Sequence, residues 1–163
     1  MDFRKNLLKQ RLYELLDDHI SYTAKIYRSI KLNYNKEAKM KTAKDYLKEA
    51  NLVVKKIDVN EAIEKHKSKS SIFIDVRDSA DIKKTGTILN GLEIPRGLIE
   101  FVADEATPLY NEALKKDAEI ILICGVGGQA ALAGKTLIEM GYNNVLNVGG
   151  IPEWEKNGGP MQK

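Results

Sequence analysis

A parallel α/β sandwich is the fold class predicted for this 163-residue chain from Val53 onward. Three observations predict it. Short β-rich runs alternate with helical patterns, as strand–helix–strand crossovers require. One run, EIILIC from Glu119, is apolar on both faces, as a strand covered by helices on either side must be. Ahead of Val53 the rhythm is different: two amphipathic helical stretches, rich in lysine and without a strand signal.

The elements follow in order. In the leading stretch Phe3, Leu7, Leu8, Leu12, Leu15, Leu16 and Ile20 recur every three or four positions, which places them on one helical face. The period continues through Ala24, Tyr27 and Tyr34, with a break expected near Asn33 and Asn35. A second helix is expected over 36–50, with Ala43, Tyr46, Leu47 and Ala50 as its stripe and Asn51 as its stop. The strands expected next are VVKKI from Val53, SIFID from Ser71, LEI from Leu92, EIILIC, and NVLNV from Asn144. Helices are expected at about 59–67, 98–103, 111–116, 129–140 and 152–156. Asp58 is placed to cap the first of these, and Gly141 to end the fourth. The organisation predicted is a basic helical extension over 1–52 and an α/β domain over 53–163.

Composition narrows the function classes. With 43% hydrophobic and 30% charged residues the chain looks globular, and no run approaches the ~20 apolar residues of a membrane span. Asp2, Arg4, Lys5 and Lys9 interrupt any secretory signal, so a cytoplasmic location is expected. Residues 1–56 carry 14 basic and 7 acidic side chains, whereas the rest carries 12 and 16. A basic arm thus precedes an acidic domain. Its stripe of leucines and tyrosines is expected to cover its own domain, a second copy of the chain or a partner. Acidic Glu14, Asp17, Asp18, Glu37, Asp45 and Glu49 dilute its polar face, which disfavours a membrane surface, and no nucleic acid partner is expected. The single cysteine, Cys124, can form no internal disulfide, and two histidines offer no metal-ligand spacing, so no metal is expected.

Cys124 ends the central strand and is followed by Gly125, Val126, Gly127, Gly128 and Gln129, then by an alanine-rich helix. Sites in open α/β sheets form at the carboxyl ends of strands, where a helix start offers unpaired N–H groups. Three glycines let the backbone fold back so that several amides can converge above the sulfur and stabilise a thiolate or a bound anion. A buried, inert cysteine beside a tight turn fits the same six residues, so the loop alone leaves both readings open.

The whole of Ile57 to Met161 resembles a rhodanese-like domain, and ordered segments carry the resemblance. IDVNEAIEKH is similar to the family's opening strand, cap and helix. FIDVRD at Phe73–Asp78 is similar to its second strand, and LEIPRG at Leu92–Gly97 to its Ile-Pro segment. CGVGGQ matches the six-residue active-site loop in length. GYNNVLNVGGIPEWEKNGGPM from Gly141 matches the closing strand, Gly-Gly turn, tryptophan helix and Gly-Pro end. The resemblance implies a three-layer sandwich around a five-stranded, mainly parallel sheet. It also implies a sulfurtransferase without cofactor, in which Cys124 takes a sulfane sulfur as a persulfide. The acceptor would be cyanide, a small thiol or a protein thiol, and a homodimer through the extension is compatible. The alternative is a non-catalytic binding or regulatory module acting through its N-terminal helices.

Departures from the family pattern bear on the donor. Gln129 stands where thiosulfate-using members carry Arg, Ala130 where they often carry Ser, and Gly86–Gly91 lacks the usual histidine and proline. Thiosulfate is therefore expected to be a poor donor. Cysteine phosphatases need an arginine six residues after the cysteine, which here is Ala130, so phosphoryl chemistry is disfavoured. Gly125, Val126, Gly127, Gly128 and Gln129 are the expected substrate-binding residues. Arg96, at a strand end, could supply the missing charge or simply start a helix. Asp75 and Arg77 are expected to support the loop or to order the turn after the second strand. Trp154 and Ile151 are expected in the core, and His19 and His66 are given no role.

Overall fold

The computed structural model describes residue 11, residues 20–29 and residues 40–163. The chain forms two compact units, Met1–Lys41 and Thr42–Lys163. In the first, residues 20–29 are helical; the stripe from Phe3 to Leu16 and the break near Asn33 lie outside the described residues.

The second unit opens with α1 (Ala43–Val53), a helix the sequence assigns to the extension. Thr42 and Asp45 form a reciprocal capping box that starts it at Ala43. The helix runs two residues past Asn51, because its last turn is anchored in the domain: Ala50 and Val54 are buried. Val54 lies against Gly134, where an added Cβ would stand 2.9 Å from Val54 Cγ1. The boundary expected after residue 52 therefore falls at residue 41, since burial and not charge decides which helix belongs to the core.

Five parallel strands follow in the order β1-β6-β5-β2-β4. They are β1 (Lys55–Lys56), β2 (Ile72–Asp75), β4 (Leu92–Glu93), β5 (Glu119–Cys124) and β6 (Asn144–Gly150). The connecting helices are α2 (Val59–Lys67), α3 (Ser79–Thr85), α4 (Ile99–Val102, after a 3-10 turn at Arg96–Leu98), α5 (Gly128–Glu139) and α6 (Ile151–Lys156). Alternation along β5 divides the core in two. Ile120, Leu122 and Cys124 join Ile74, Ile99, Ala130, Ala133 and Leu137 on one face, while Ile121 and Ile123 join Ile63, Phe73, Ile151 and Trp154 on the other. The sheet is covered on both sides, which makes the expected three layers. Each large side chain so buried contributes ~1.5–3 kcal/mol. On the first face burial pushes the Tyr142 phenol up to about 12; its hydroxyl lies 2.9 Å from the Ala103 carbonyl and 3.3 Å from that of Leu114.

Three features depart from the sequence reading. Residues 79–85, for which no helix is expected from the sequence, close into α3 and stop at Gly86, whose φ of +77° ends the helix. Residues 111–116, expected as a helix, form turns, because the Asn111 side chain accepts the Ala113 N–H at 3.0 Å and competes with helical bonding. A second, antiparallel ladder pairs β3 (Thr87–Ile88) with β7 (Met161–Gln162), two strands too short to show a period. Trp154, as expected, is fully buried, with His66 packed edge-on and Phe73 tilted against it.

Candidate functional site

The loop is built by three neighbours. β5 delivers Cys124 to the carboxyl edge of the sheet, buried to 1% exposure on the α5 face. Gly127 then turns the chain with φ +93° and caps α5. A β-carbon there would be strained, because the conformation is left-handed and an added Cβ would stand 3.2 Å from Gly149 Cα. The turn brings the Gly127 N–H to 3.1 Å from Cys124 Sγ. Where the sequence suggests several amides converging on sulfur, among the described residues this one donates to it. Val126 at the loop apex is 91% exposed, and Gln129 is exposed at the start of α5.

β6 supplies the second neighbour. A register shift opposite Leu122 and Ile123 leaves Val148 as an extra residue, so Gly149 and Gly150 lie beside Ile123 and Cys124. Gly150 packs so closely that an added Cβ would meet the Gly125 carbonyl oxygen at 2.4 Å. Asn147, 2% exposed, donates its side-chain N–H to the Gly127 carbonyl at 3.0 Å and accepts the Gly149 N–H at 2.9 Å. It holds the loop to the strand. Sequence reasoning missed Asn147, although a signal was present: it is a polar residue on the inward alternation that starts at Val145.

The expected site residues divide. Gly125 to Gln129 form the turn and the start of α5 after Cys124, with the Gly127 N–H on the sulfur, whereas Asp75, Arg77 and Arg96 are occupied elsewhere. Asp75 lies on the alternation of Phe73, the face opposite Cys124. Its carboxylate takes the Arg77 guanidinium at 2.6 Å and the Thr87 hydroxyl at 2.8 Å, and Arg77 reaches on to Thr85 and to the Gly86 carbonyl. The pair therefore ties α3 and β3 to the sheet. Arg96 bonds Glu100 at 2.9 Å and Thr136 at 3.0 Å, bridging α4 to the middle of α5. Beside the loop lies a hollow of about 340 Å³ bordered by Gly127, Gly128, Asn147, Leu47 and Lys56. Among the described residues no three His, Cys, Asp or Glu side chains gather as metal ligands.

Comparison with known proteins adds the family. The sequence model of the rhodanese-like domain matches residues 58–157. The chain belongs to the rhodanese-like domain family. α1 lies outside that match. A sulfurtransferase of Allochromatium vinosum is 31% identical over 91 residues, which cover 55% of this chain and 77% of the relative. Among solved structures, a Rhodopseudomonas palustris protein described as of unknown function and as a possible tyrosine phosphatase superposes with a TM-score of 0.72. It is 30% identical and covers 77% of this chain and 98% of its own. The homodimeric polysulfide-sulfur transferase of Wolinella succinogenes superposes with a TM-score of 0.58 at 26% identity, covering 71% and 83% of the two chains. These likenesses support sulfur transfer as the general class of function. Among the described residues no helix is long and apolar enough to cross a membrane.

Proposed function

We propose that the chain is a sulfurtransferase in which Cys124 carries the sulfur. The Cys124 thiolate attacks the outer sulfur of a sulfane donor and forms a sulfur–sulfur bond; the donor's own sulfur–sulfur bond breaks and its electron pair leaves with the remainder. With thiosulfate the leaving group is sulfite. The persulfide then gives its outer sulfur to cyanide, a small thiol or a protein thiol, and the thiolate returns. The carrying observation is the Gly127 N–H held 3.1 Å from Sγ by the Asn147 and Gly150 contacts. A fixed donor there stabilises negative charge on sulfur before and after each transfer. Chain membership in the rhodanese-like family supports the same reading.

The loop does not favour phosphoryl transfer. Ala130, the sixth residue after the cysteine, is buried in the first turn of α5, and no arginine fork faces the sulfur from the loop. Asp75, Arg77 and Arg96 act in this reading as supports of the frame around the loop. A second copy of the chain is the partner proposed for the extension; the Wolinella relative is itself a homodimer.

Intact mass after incubation with thiosulfate or polysulfide tests the proposal. One added sulfur, about 32 Da, removable by dithiothreitol and absent in Cys124→Ser, is the expected result. A Cys124→Ser chain that still transfers sulfur would overturn it.

A further inference from the structure

The loop has no arginine, yet an anionic donor needs a cation near it, and the structure places one in β1. We infer that Lys56 is the donor-binding cation of this chain, drawing a small anionic sulfane donor into the hollow beside Gly127. The inference rests on the sulfur-transfer reading and names a residue outside the stretch that the family model covers.

Two independent observations carry it. The first is register. Lys56 pairs with Asn147 in the parallel β1–β6 ladder, and paired residues in a parallel sheet project to the same face. Asn147 faces α5, because its side chain holds the Gly127 carbonyl, and Cys124 belongs to the same face. Lys56 therefore points to the sulfur side of the sheet, one strand beyond the loop's anchor. Lys55 projects to the opposite face with Leu146.

The second is the hollow itself. Lys56 borders the same 340 Å³ space as Gly127, the residue whose N–H reaches sulfur, and α1 closes the side of it through Leu47 and Asn51. That volume accommodates a small ligand. Competing cations are committed: Arg77 lies buried against Asp75, and Arg96 binds Glu100 and Thr136. Among the described residues Lys56 has no ion-pair partner. A lysine ammonium is a hydrated point charge on a flexible stem, which can meet anions of differing shape, such as thiosulfate or polysulfide.

Binding and chemistry are tested apart. Thiosulfate is titrated calorimetrically into the full chain carrying Cys124→Ser, at low and high salt, alone and with Lys56→Gln, Lys56→Arg or Lys55→Gln added. Lys56→Gln should weaken binding about fivefold, the factor expected for roughly 1 kcal/mol, and flatten the salt dependence. Lys56→Arg and Lys55→Gln should bind as the parent. Equal binding by Lys56→Gln, equal weakening by Lys55→Gln, or no thiosulfate binding in the parent would each overturn the assignment. Persulfide mass on the unmutated chain judges the sulfur-transfer reading separately: its absence would sink that reading, while loss of thiosulfate binding in Lys56→Gln would still support the anion site.

Discussion

Gly150→Ala should disable the loop by steric displacement alone. Gly150 has φ −120° and ψ 150°, extended values that alanine adopts freely, so no backbone strain enters. The new methyl would meet the Gly125 carbonyl oxygen at 2.4 Å, its carbon at 3.0 Å and Val126 Cα at 3.1 Å. All three are backbone atoms, and none can swing aside as a side-chain end would. An ordinary contact begins at 3.4 Å, so the start of the loop must retreat by about 1 Å. Gly127 belongs to the same turn, and its N–H would leave the sulfur. A misplacement of about 1 Å near reacting atoms can cost ~100-fold in rate, and overpacking costs ~1–3 kcal/mol of stability. The rate of persulfide formation at fixed thiosulfate or polysulfide, read by intact mass, should fall by that order while the thermal transition drops modestly. Gly141→Ala is the control. It strains a φ of +89° in open space just beyond α5, whose 12 residues span roughly 18 Å. It should lose comparable stability and keep the rate. A Gly150→Ala chain within about threefold of the parent rate, or equal rate losses in both variants, would refute the idea that β6 positions the loop.

Further outcomes can be checked on the same chain. Gln129→Arg should raise kcat/KM for thiosulfate about three- to tenfold by adding a cation at the exposed start of α5, with the gain shrinking as salt is added; an unchanged or lower value counts against the donor argument. Asp75→Ala should destabilise the fold by ~3–5 kcal/mol, because it strands the Arg77 guanidinium in the core, and adding Arg77→Met should restore much of the loss; denaturant unfolding measures both. Tyr142 titrates near 12 in the fold against about 10 when unfolded, so its contribution is complete below pH 10 and is lost as pH rises toward 12. Tyr142→Phe should remove that alkaline limb and cost ~1–2 kcal/mol at neutral pH, read from melting curves across pH.

Most of the sheet was legible because its strands advertise themselves by burial. EIILIC and NVLNV alternate or saturate with apolar residues, and both occur where expected. Cys124 and the glycines were legible because a strand end, a tight turn and a helix start leave few alternatives. What escaped depends on contacts between distant residues. α1 belongs to the domain because Ala50 and Val54 are buried there, Val54 against Gly134, which no window of sequence around Val54 reveals. Asn147 matters through its hydrogen bond from β6 to the loop at Gly127, and Lys56 through its register with Asn147. For Arg77 in FIDVRD the sequence left a support of the loop and an ordering of the turn both open, and its partners at residues 75, 85 and 86 lie on the turn side.

The short ladder between β3 and β7 also governs when this molecule can exist. Residues 161–162 must return to residues 87–88, and Gly159 must slide under Trp154, where an added Cβ would stand 2.3 Å from the indole ring. A chain still emerging from the ribosome can assemble β2, β5 and α5, yet the face holding Trp154, Ile88 and Met161 stays unsealed until β7 has emerged and paired. Pairings of such long sequence separation form late and slowly. During synthesis, then, the cysteine loop is spelled out well before the domain around it can lock, and a chain that lacks residues 159–162 would leave the Trp154 side of the core less covered and open to the proteases that survey new proteins.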